Sequence, residues 1–403
     1  MSYTEISSFI QYLDSYKTIE NTNITDMNNM IYSINCDYYK NKYFLPFYVG
    51  DSKIYKLHYK NIGKRISSPI PKEIPTIKTK VEINDNIHSL SDLLNIITKY
   101  EYKETEEYNI DLKSLAHIRE ELQQINEMIG MNTLKTSIFN QLLYFLQNLH
   151  VNIGPGSGPG SCEFKHTVIY GPPGTGKTEV AKLIGKMYAK IGILNKNVFK
   201  KVTRGDLVAG YLGQTAIKTK SVINEALGGV LFIDEAYSLA NCKNDLDSFS
   251  KECMDTLCEA LSDHKDNLMV IIAGYEDELN DCFFSANKGL ESRFIWRFKI
   301  ENYNAKELHQ IFLKKVREIN WTMESDNHIN HEWFEKNKSH FVYLGRDMEL
   351  LLSYTKIMHS KRIFGKPSIN MRVINLEDMN AGFSLFVHNK KEKKPHYMNS
   401  LYI

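Results

Sequence analysis

The sequence of 403 residues has no run of about eighteen or more uncharged apolar residues, which is the length that a membrane-spanning helix needs. Its start, Met-Ser-Tyr-Thr-Glu, also lacks the basic and then apolar segments of a secretory signal. We therefore expect a soluble intracellular protein, cytoplasmic by default, without a membrane partner.

Cysteine is sparse, and charge of one sign is not in excess. The six cysteines show neither CxxC spacing nor a spacing with histidine that suits a metal. A disulfide-stabilised scaffold and a zinc site are therefore not indicated. Because 50 lysines and arginines oppose 48 aspartates and glutamates, the net charge is only +2. This balance argues against a protein that coats nucleic acid.

The first third of the chain, residues 1–115, has no catalytic motif. It contains polar helical patterns near 4–16 and 88–102. Clustered prolines within 67–80 oppose both a helix and a central strand and indicate an extended linker. The region before this linker is expected to be α+β or mainly helical, with a fold that the sequence does not identify.

Amphipathic helices are predicted between residues 111 and 150. A helical face up to a break at Gly130 is indicated by apolar residues at three- and four-residue spacing, namely Leu112, Leu115, Ile118, Leu122 and Ile125. A second helix is expected after this break. The glycine-rich segment 154–160 then predicts a flexible loop.

Strand and helix patterns alternate after that loop. Buried strands are predicted by the short apolar runs at 166–170, 198–203, 230–233, 268–273 and 294–300. This alternation predicts an α/β fold with a parallel sheet that is covered by helices on both faces. Helical spacing at 305–319 and 345–363 predicts a small all-helical domain beyond the last strand.

A phosphate-binding loop follows the first of these strands and leads into a helix. The segment GPPGTGKT fits the pattern GxxxxGK[ST], in which backbone amides and the helix N-terminus bind phosphates. We expect Lys177 to reach the β- and γ-phosphates of ATP, and the Thr178 hydroxyl to ligate Mg²⁺. The predicted nucleotide-binding residues here are Gly171, Pro172, Pro173, Gly174, Thr175, Gly176, Lys177, Thr178 and Glu179.

A second apolar strand ends in two acids, Asp234 and Glu235. Ligands of open α/β sheets bind at the carboxyl ends of the strands, where these two side chains would emerge. Asp234 is then expected to hold Mg²⁺, directly or through water. Glu235 is expected to orient and polarise the water that attacks the γ-phosphate.

Together these motifs resemble the AAA+ ATPases. The runs GPPGTGKT, VLFIDEA, IIAGYED and GLESRF look like those of this family. The segment 206–219 and the pair Gly228-Gly229 are similar to the CbbX/CfxQ and SpoVK branch. The likeness covers roughly residues 120–388. It implies a P-loop NTPase domain whose parallel sheet is flanked by helices, followed by a helical lid domain.

With this resemblance the chain is divided into five parts. They are an N-terminal region of unknown fold where partner choice is expected (1–80), a helical connector (81–120), an AAA+ α/β nucleotide-binding domain (121–302), a helical lid (303–388) and a basic tail (389–403).

The resemblance also implies roles for residues outside the two main motifs. Ile129 and Gly130 match a segment that packs on the adenine base, although the same residues also suit a plain helix end. Tyr275 occupies the place where many relatives carry a sensor asparagine; a phenol also donates a hydrogen bond, with a different reach.

Two arginines are candidates for contact with phosphate. Arg293 matches the arginine that relatives insert into a neighbouring subunit's site. Arg297 is the alternative for this role, and Arg293 could instead be a surface arginine without a role in hydrolysis. Arg346 lies where a second sensor arginine is expected. A salt bridge with the adjacent Asp347, or a role for Arg362 instead, are the alternatives.

The segment Tyr211-Leu212-Gly213 matches the loop with which related rings grip a polypeptide. Tyr211 and Leu212 are therefore candidate substrate-binding residues, while an aromatic anchor for the loop is the alternative. An arginine that acts in a neighbour's site implies a homo-oligomeric ring, which the resemblance to the family leads us to expect as a closed hexamer.

These features predict an ATPase that remodels an unidentified protein client, with ATP as its nucleotide and Mg²⁺ as its metal. A nucleic-acid-associated loader or helicase accessory is the first alternative. The near-neutral charge and the lack of a basic, aromatic-interleaved stripe argue against a nucleic-acid partner. A nucleotide-gated scaffold is the second alternative, and the intact Lys177, Asp234 and Glu235 argue against it.

Overall fold

The computed structural model describes residues 78–151, 162–211, 213–240, 247–324, 329–366 and 371–392. All of these residues belong to one unit that begins at Lys78. The predicted N-terminal region before residue 78, the glycine-rich loop at 154–160, Leu212 and the tail from residue 393 lie outside the described residues.

The first described elements form a small mixed region before the main sheet. Its elements are β1 (Thr79–Val81), α1 (Leu90–Lys99), β2 (Glu106–Tyr108), α2 (Leu112–His117), α3 (Arg119–Asn126) and α4 (Asn132–Leu146). The expectation of a purely helical connector is therefore incomplete, because β1 and β2 pair in parallel. Three-residue strands with the sequences TKV and EEY carry too little alternation to be found from the sequence. The helix expected up to Gly130 is also divided in two at Ile118.

The central region contains the predicted α/β sheet. Its elements are β3 (Thr167–Tyr170), α5 (Lys177–Lys190), β4 (Phe199–Val202), α6 (Arg204–Leu207), α7 (Thr215–Ala226), β5 (Val230–Ile233), α8 (Ser248–Asp263), β6 (Met269–Gly274), α9 (Glu276–Glu278), α10 (Lys288–Glu291) and β7 (Trp296–Lys299). A 3₁₀ turn, Ala236–Leu239, follows β5, and a π-helical turn, Leu279–Phe284, follows α9. The strand order is β4-β5-β6-β3-β7, with every neighbouring pair parallel. All five strand predictions are confirmed.

Both faces of the three inner strands β5, β6 and β3 are buried, as their continuous apolar sequences predict. Within each strand, successive side chains point to opposite faces. Phe232 and Ile271 belong to the core on one face, whereas Leu231 and Ile272 belong to the core on the other. This arrangement leaves only the ends of the strands open to a ligand.

The C-terminal region is mainly helical. Its elements are α11 (Ala305–Glu318), β8 (Thr322–Met323), α12 (His331–Asn337), α13 (Leu344–Ile363), β9 (Val373–Ile374) and α14 (Leu376–Glu392). The expectation of an all-helical domain beyond the last strand is wrong in one detail, since β8 and β9 form a short parallel pair. Two-residue strands depend on a partner far along the chain and have no local signature. Within the described ranges, none of the helices has the length and apolar character required to span a membrane.

Candidate functional site

A cleft of about 540 Å³ opens where the main sheet meets the C-terminal helices. Its walls come from the ends of β3, β5 and β6, from the segment before α4, and from α11 and α13. Of the predicted site residues, it is lined by Ile129, Pro173, Gly174, Thr175, Gly176, Lys177, Thr178, Glu179, Asp234, Glu235, Tyr275 and Arg346. A cleft of this size is in the usual range for a small-molecule ligand.

The phosphate-binding loop runs from the end of β3 into the first turn of α5. Gly174 and Gly176 have φ values of 76° and 87°, a conformation that favours glycine. The Lys177 ammonium lies back over the loop, where it donates to the carbonyls of Gly171 and Pro172 at 2.8 Å each. The loop therefore surrounds a cation with backbone groups, at the N-terminus of a helix of 14 residues.

Burial lowers the pKa of Lys177, while the nearby Asp234 and Glu235 carboxylates act in the opposite direction. Its two hydrogen-bond acceptors are uncharged carbonyls. A partly desolvated ammonium gains most from an anion placed beside it. The loop is thus suited to a polyphosphate.

Tyr303 stabilises this loop by a hydrogen bond, a role that the sequence analysis missed. Its hydroxyl donates to the Thr175 carbonyl at 3.2 Å, and the Thr175 hydroxyl donates to the Pro172 carbonyl at 2.8 Å. Burial raises the pKa of Tyr303 to about 12, so the phenol remains a neutral donor. No motif identifies this tyrosine, because its position depends on β7 ending beside β3.

The two acids predicted at the end of β5 both line the cleft. The Asp234 carboxylate forms an ion pair with the Lys201 ammonium of the neighbouring strand β4, at 2.7 Å. Because β4 lies on the side of β5 opposite to the phosphate loop, Lys201 contacts Asp234 from the side that faces away from this loop. Glu235 has φ 51° and ψ 47°, a left-handed backbone that is strained for a residue other than glycine.

A magnesium ion fits the donors at this place. The Thr178 hydroxyl and the Asp234 carboxylate both line the cleft, and oxygen ligands of this kind suit Mg²⁺. Within the described ranges no group of three or more His, Cys, Asp or Glu could hold a metal by itself. Mg²⁺ usually completes its coordination with waters and substrate phosphates, which agrees with so small a protein donor set.

Tyr275 faces the phosphate loop from the end of β6. Its ring centroid lies 5.9 Å from the Lys177 ammonium and 5.9 Å from the ring of Tyr237. Burial, followed by the charge of Glu235, raises the pKa of Tyr275. The phenol is therefore protonated at neutral pH and is placed in the cleft as a hydrogen-bond donor.

Helix α13 begins directly against the phosphate loop. A β-carbon added to Gly345 would lie 2.5 Å from the Gly174 carbonyl oxygen, so the two backbones touch. Arg346, the next residue, lines the cleft. The alternative salt bridge between Arg346 and Asp347 is not formed. Asp347 instead accepts from Lys390 at 2.8 Å and from the Tyr343 amide at 2.7 Å.

Arg362 is not brought to the cleft, so the alternative that placed it on phosphate is wrong. Its guanidinium binds the buried Asp378 through two donors, at 2.7 and 2.8 Å. Asp378 also contacts His359 at 2.8 Å. These three side chains join α13 to α14 and have a structural role.

The segment before α4 forms the opposite wall. Ile129 lines the cleft together with Met128 and Met131. Gly130 has φ 67°, and a β-carbon there would lie 2.5 Å from the Glu307 carboxylate. Glu307 in turn caps the start of α11. A flat apolar wall of this kind suits an aromatic base.

Arg293 lies outside the cleft of its own chain. Its guanidinium donates to the Ser262 hydroxyl at 2.8 Å and to the Gly289 carbonyl. Arg297, the alternative, binds Glu291 at 3.1 Å and contacts the Tyr170 hydroxyl at 3.3 Å. Neither arginine is therefore brought together with Lys177, Asp234 and Glu235.

Tyr211 is 74% exposed, which excludes the alternative that it anchors its loop to the core. Gly210 and Gly213 flank it, and space around both glycines is open within 4 Å. Leu212 lies outside the described residues. Among the described residues, nothing approaches the β-carbon positions of the two glycines beside the exposed tyrosine.

The sequence analysis also missed the part of the cleft wall that α11 and α13 provide. This wall consists of Ile311, Lys314, Lys315, Glu318 and Glu349. Helical spacing places Ile311 and Lys315 on one face of α11, and the sequence could have shown that they lie together. The spacing does not indicate which face of the helix packs against the sheet domain.

Comparisons with known proteins agree with this site. The family described as the ATPase family associated with various cellular activities (AAA) matches residues 167–296. The putative cfxQ-like protein R730 of Acanthamoeba polyphaga mimivirus is 39% identical over 321 residues, which cover 79% of this chain and 76% of the relative. The CfxQ homolog of Galdieria sulphuraria is 32% identical over 301 residues, with coverages of 71% and 94%.

A third relative carries a function in its name. The chloroplastic ribulose bisphosphate carboxylase/oxygenase activase of Cyanidioschyzon merolae is 32% identical over 272 residues, which cover 66% of this chain and 90% of the relative.

Proposed function

Because the chain belongs to the AAA+ ATPases, in the branch of the CfxQ/CbbX proteins and SpoVK, we propose that its ATP hydrolysis remodels a protein client within a ring-shaped homo-oligomer. The observation that carries this proposal is the cleft in which Lys177, Asp234 and Glu235 face one another while Arg293 lies elsewhere. One chain thus holds a nucleotide site and, apart from it, an arginine suited to a neighbour's site.

Within the cleft, each residue has a proposed part in hydrolysis. The Lys177 ammonium leaves its two carbonyl partners to bind the β- and γ-phosphates. The Glu235 carboxylate orients a water for attack on the γ-phosphate and accepts its proton. Thr178 and Asp234 would hold Mg²⁺, which neutralises phosphate charge when bound. Tyr275 and Arg346 are proposed to contact the phosphates as sensors.

The adenine base is proposed to lie against Ile129 and Gly130. The absence of a β-carbon at Gly130 keeps this wall flat beside Glu307. An apolar wall next to the lid agrees with a base that enters between the two domains, for which we propose the boundaries 121–302 and 303–388. Partner choice is proposed for the region 1–80, and residues 81–120 and 389–403 for its connector and the basic tail.

A ring is proposed because one subunit does not complete its own site. Among the described residues, the Arg293 guanidinium donates to Ser262 and Gly289 and lies over the Phe164 ring, all outside the cleft. A second copy that supplies this side chain would neutralise charge developing on the γ-phosphate. Repetition of such a head-to-tail contact closes a ring, for which we propose six subunits.

A protein client is proposed from the exposed loop that carries Tyr211 and Leu212. An exposed aromatic ring offers a contact that tolerates many polypeptide sequences. The name of one relative, a ribulose bisphosphate carboxylase/oxygenase activase, also describes a protein that acts on another protein. The sequence has no basic excess that would favour nucleic acid instead.

The nucleotide site is tested with two variants of the same cleft. Lys177→Ala should lose ATP binding, whereas Glu235→Gln should retain ATP, hydrolyse it slowly and accumulate as the assembled ring. Light scattering after size-exclusion chromatography, with and without Mg·ATP, measures assembly, and a coupled assay measures turnover. Equal loss of ATP binding in both variants would contradict the assigned roles.

The shared site is tested by mixing inactive variants. Arg293→Ala should bind ATP and lose turnover. Mixed with Glu235→Gln, some of its intact Glu235 sites should receive Arg293 from the other variant, so that turnover returns. A mixture no more active than its components would refute action in the neighbouring site.

The client class is tested by adding an unfolded polypeptide or DNA to the coupled assay. We expect polypeptide alone to stimulate turnover, and Tyr211→Ala to lose this stimulation. Stimulation by DNA alone would replace the proposal with the loader function, and a monomer that binds ATP without turnover would replace it with a scaffold.

A further inference from the structure

Arg204 connects three parts of the molecule that the proposed function treats separately. Its Nη1 donates to the carbonyls of Ser238 and Leu239 at 2.8 and 3.0 Å, and to the Ser250 hydroxyl at 2.8 Å. Its Nη2 donates to the Asp247 carboxylate at 3.1 Å. No motif in the sequence singles out this arginine, and none of the roles assigned above uses it.

The first part is the turn that follows the two acids of the cleft. Glu235 has a left-handed backbone, and its carbonyl accepts from the Ser238 amide at 2.8 Å. A change in the conformation of Glu235 therefore moves Ser238 and Leu239 directly. These are the two residues whose carbonyls Arg204 binds.

The second part is the stem of the Tyr211 loop, by which we mean residues 203–208. Arg204 is the first residue of α6, and a capping box between Thr203 and Asp206 fixes the start of that turn. The Lys218 ammonium donates to the carbonyls of Gly205 and Val208, at 2.6 and 3.0 Å. These hydrogen bonds tie the stem to the start of α7, and the exposed Tyr211 lies in the chain between them.

The third part is the N-terminus of α8, where Asp247 and Ser250 provide a fixed support. A direct backbone link between β5 and β4 also exists, since the Asp234 amide donates to the Val202 carbonyl at 3.1 Å. That hydrogen bond keeps β4 and β5 in register, and it is made by the residue before Glu235. Among the hydrogen bonds of the described residues, those of Arg204 join the segment after Glu235 to the loop stem, beside the apolar packing of Leu207 with Leu239.

We propose that Arg204 is a positioning residue that couples the nucleotide state at Glu235 to the position of Tyr211. This inference rests on the proposed function, because it assumes that the Tyr211 loop acts on a polypeptide. Coupling of this kind requires a connected element that both sites bias, and the four hydrogen bonds of Arg204 supply one.

The experiment uses the full chain with Tyr211→Trp, which places an environment-sensitive aromatic on the loop. The difference in emission between ADP and the slowly hydrolysed ATPγS reports loop movement, after subtraction of the three native tryptophans measured without the substitution. Stimulation of turnover by reduced, carboxymethylated α-lactalbumin reports work on polypeptide. Both are measured with Arg204→Met, Arg204→Lys and a control, Arg372→Met, whose side chain is exposed.

We expect Arg204→Met to keep basal kcat and KM within about twofold, because Arg204 does not line the cleft. The emission difference and the stimulation should both fall at least fivefold. Arg204→Lys keeps the charge but cannot reach all four acceptors, so it should be intermediate. Ser250→Ala removes one acceptor only and should weaken both signals less, with the folded state preserved.

An unchanged emission difference and stimulation in Arg204→Met would overturn the inference. So would a loss of basal turnover in the same proportion, together with a lowered melting temperature in Arg204→Met and Ser250→Ala, since the role would then be structural. If the Tyr211→Trp chain with Arg204 intact shows neither signal, the proposed action on polypeptide fails, and the inference fails with it.

Discussion

The contact between Gly345 and the phosphate loop leads to a quantitative prediction for Gly345→Ala. The added β-carbon would lie 2.5 Å from the Gly174 carbonyl oxygen, whereas real β-carbons are essentially never closer than 3.0 Å to such an atom and ordinary contact begins at 3.4 Å. The obstructing atom belongs to the backbone and cannot rotate away. Helix α13 or the loop must therefore move by roughly 0.5 to 0.9 Å.

This displacement separates Arg346 from the phosphate position and widens the cleft. Misplacement of catalytic groups by about 1 Å costs up to about 100-fold in rate. We expect kcat for ATP to fall by about 10- to 100-fold, with weaker binding of a fluorescent ADP analogue. The coupled ATPase assay and an anisotropy titration measure the two effects.

Gly205→Ala is the matched control. Both glycines are helical without a positive φ, but the space around Gly205 is open, with the nearest atom 4.0 Å away. Alanine favours a helix over glycine by about 1 kcal/mol, so the control should be as stable as the parent or slightly more stable. If Gly345→Ala binds and hydrolyses ATP like Gly205→Ala, the close contact is not part of the active conformation, and this reasoning is refuted.

Three other substitutions test separate parts of the structure. Asp378→Asn should lower the free energy of unfolding by about 3 kcal/mol in denaturant titrations, because it leaves the buried His359 and its arginine partner without a carboxylate. Burial alone would raise the pKa of Asp378, but its hydrogen bonds outweigh burial and hold it below the usual value, so its stabilisation should persist above about pH 4 and disappear as the pH falls further. Arg346→Ala should weaken ATP binding by about 10-fold or more, as expected for a lost charge-assisted contact with phosphate, and an unchanged dissociation constant would remove Arg346 from the site. Gly130→Ala should raise KM for ATP, because φ is 67° and Glu307 obstructs the β-carbon; Glu307→Ala in the same chain should restore part of the loss only if that obstruction is the cause.

The strands and the phosphate loop could be predicted because their signals are local. An apolar run such as Val230–Ile233 must be buried on both sides, and the acids that follow it must then emerge at the sheet edge. The glycines of the loop identify a backbone conformation through residue type alone. Lys177, Thr178, Asp234 and Glu235 consequently appear in one cleft as the sequence indicated.

The remaining contacts depend on residues that are distant in sequence. Lys201 reaches Asp234 only because β4 pairs with β5 in a register that no local pattern states. Arg346 and Arg362 both follow the same helical pattern, yet only Arg346 lines the cleft. Arg362 instead binds Asp378 of α14. No pattern within α13 indicates that partner, so the sequence alone could not decide between Arg346 and Arg362.

The cleft also explains why the lid and the segment before α4 are expected to respond together to nucleotide. Glu307 caps the first turn of α11 through Asn304 and at the same time lies against Gly130, in the wall proposed for adenine. Gly345 makes a backbone contact with Gly174 at the phosphate end. The lid therefore touches both ends of the nucleotide site, through the Glu307 side chain at Gly130 and through its backbone at Gly174. A rotation of the lid that opens one end must change the other, so hydrogen exchange should report a coordinated change around Gly130 and Gly174 when ADP replaces ATPγS; exchange that changes at one glycine alone would contradict a rigid lid.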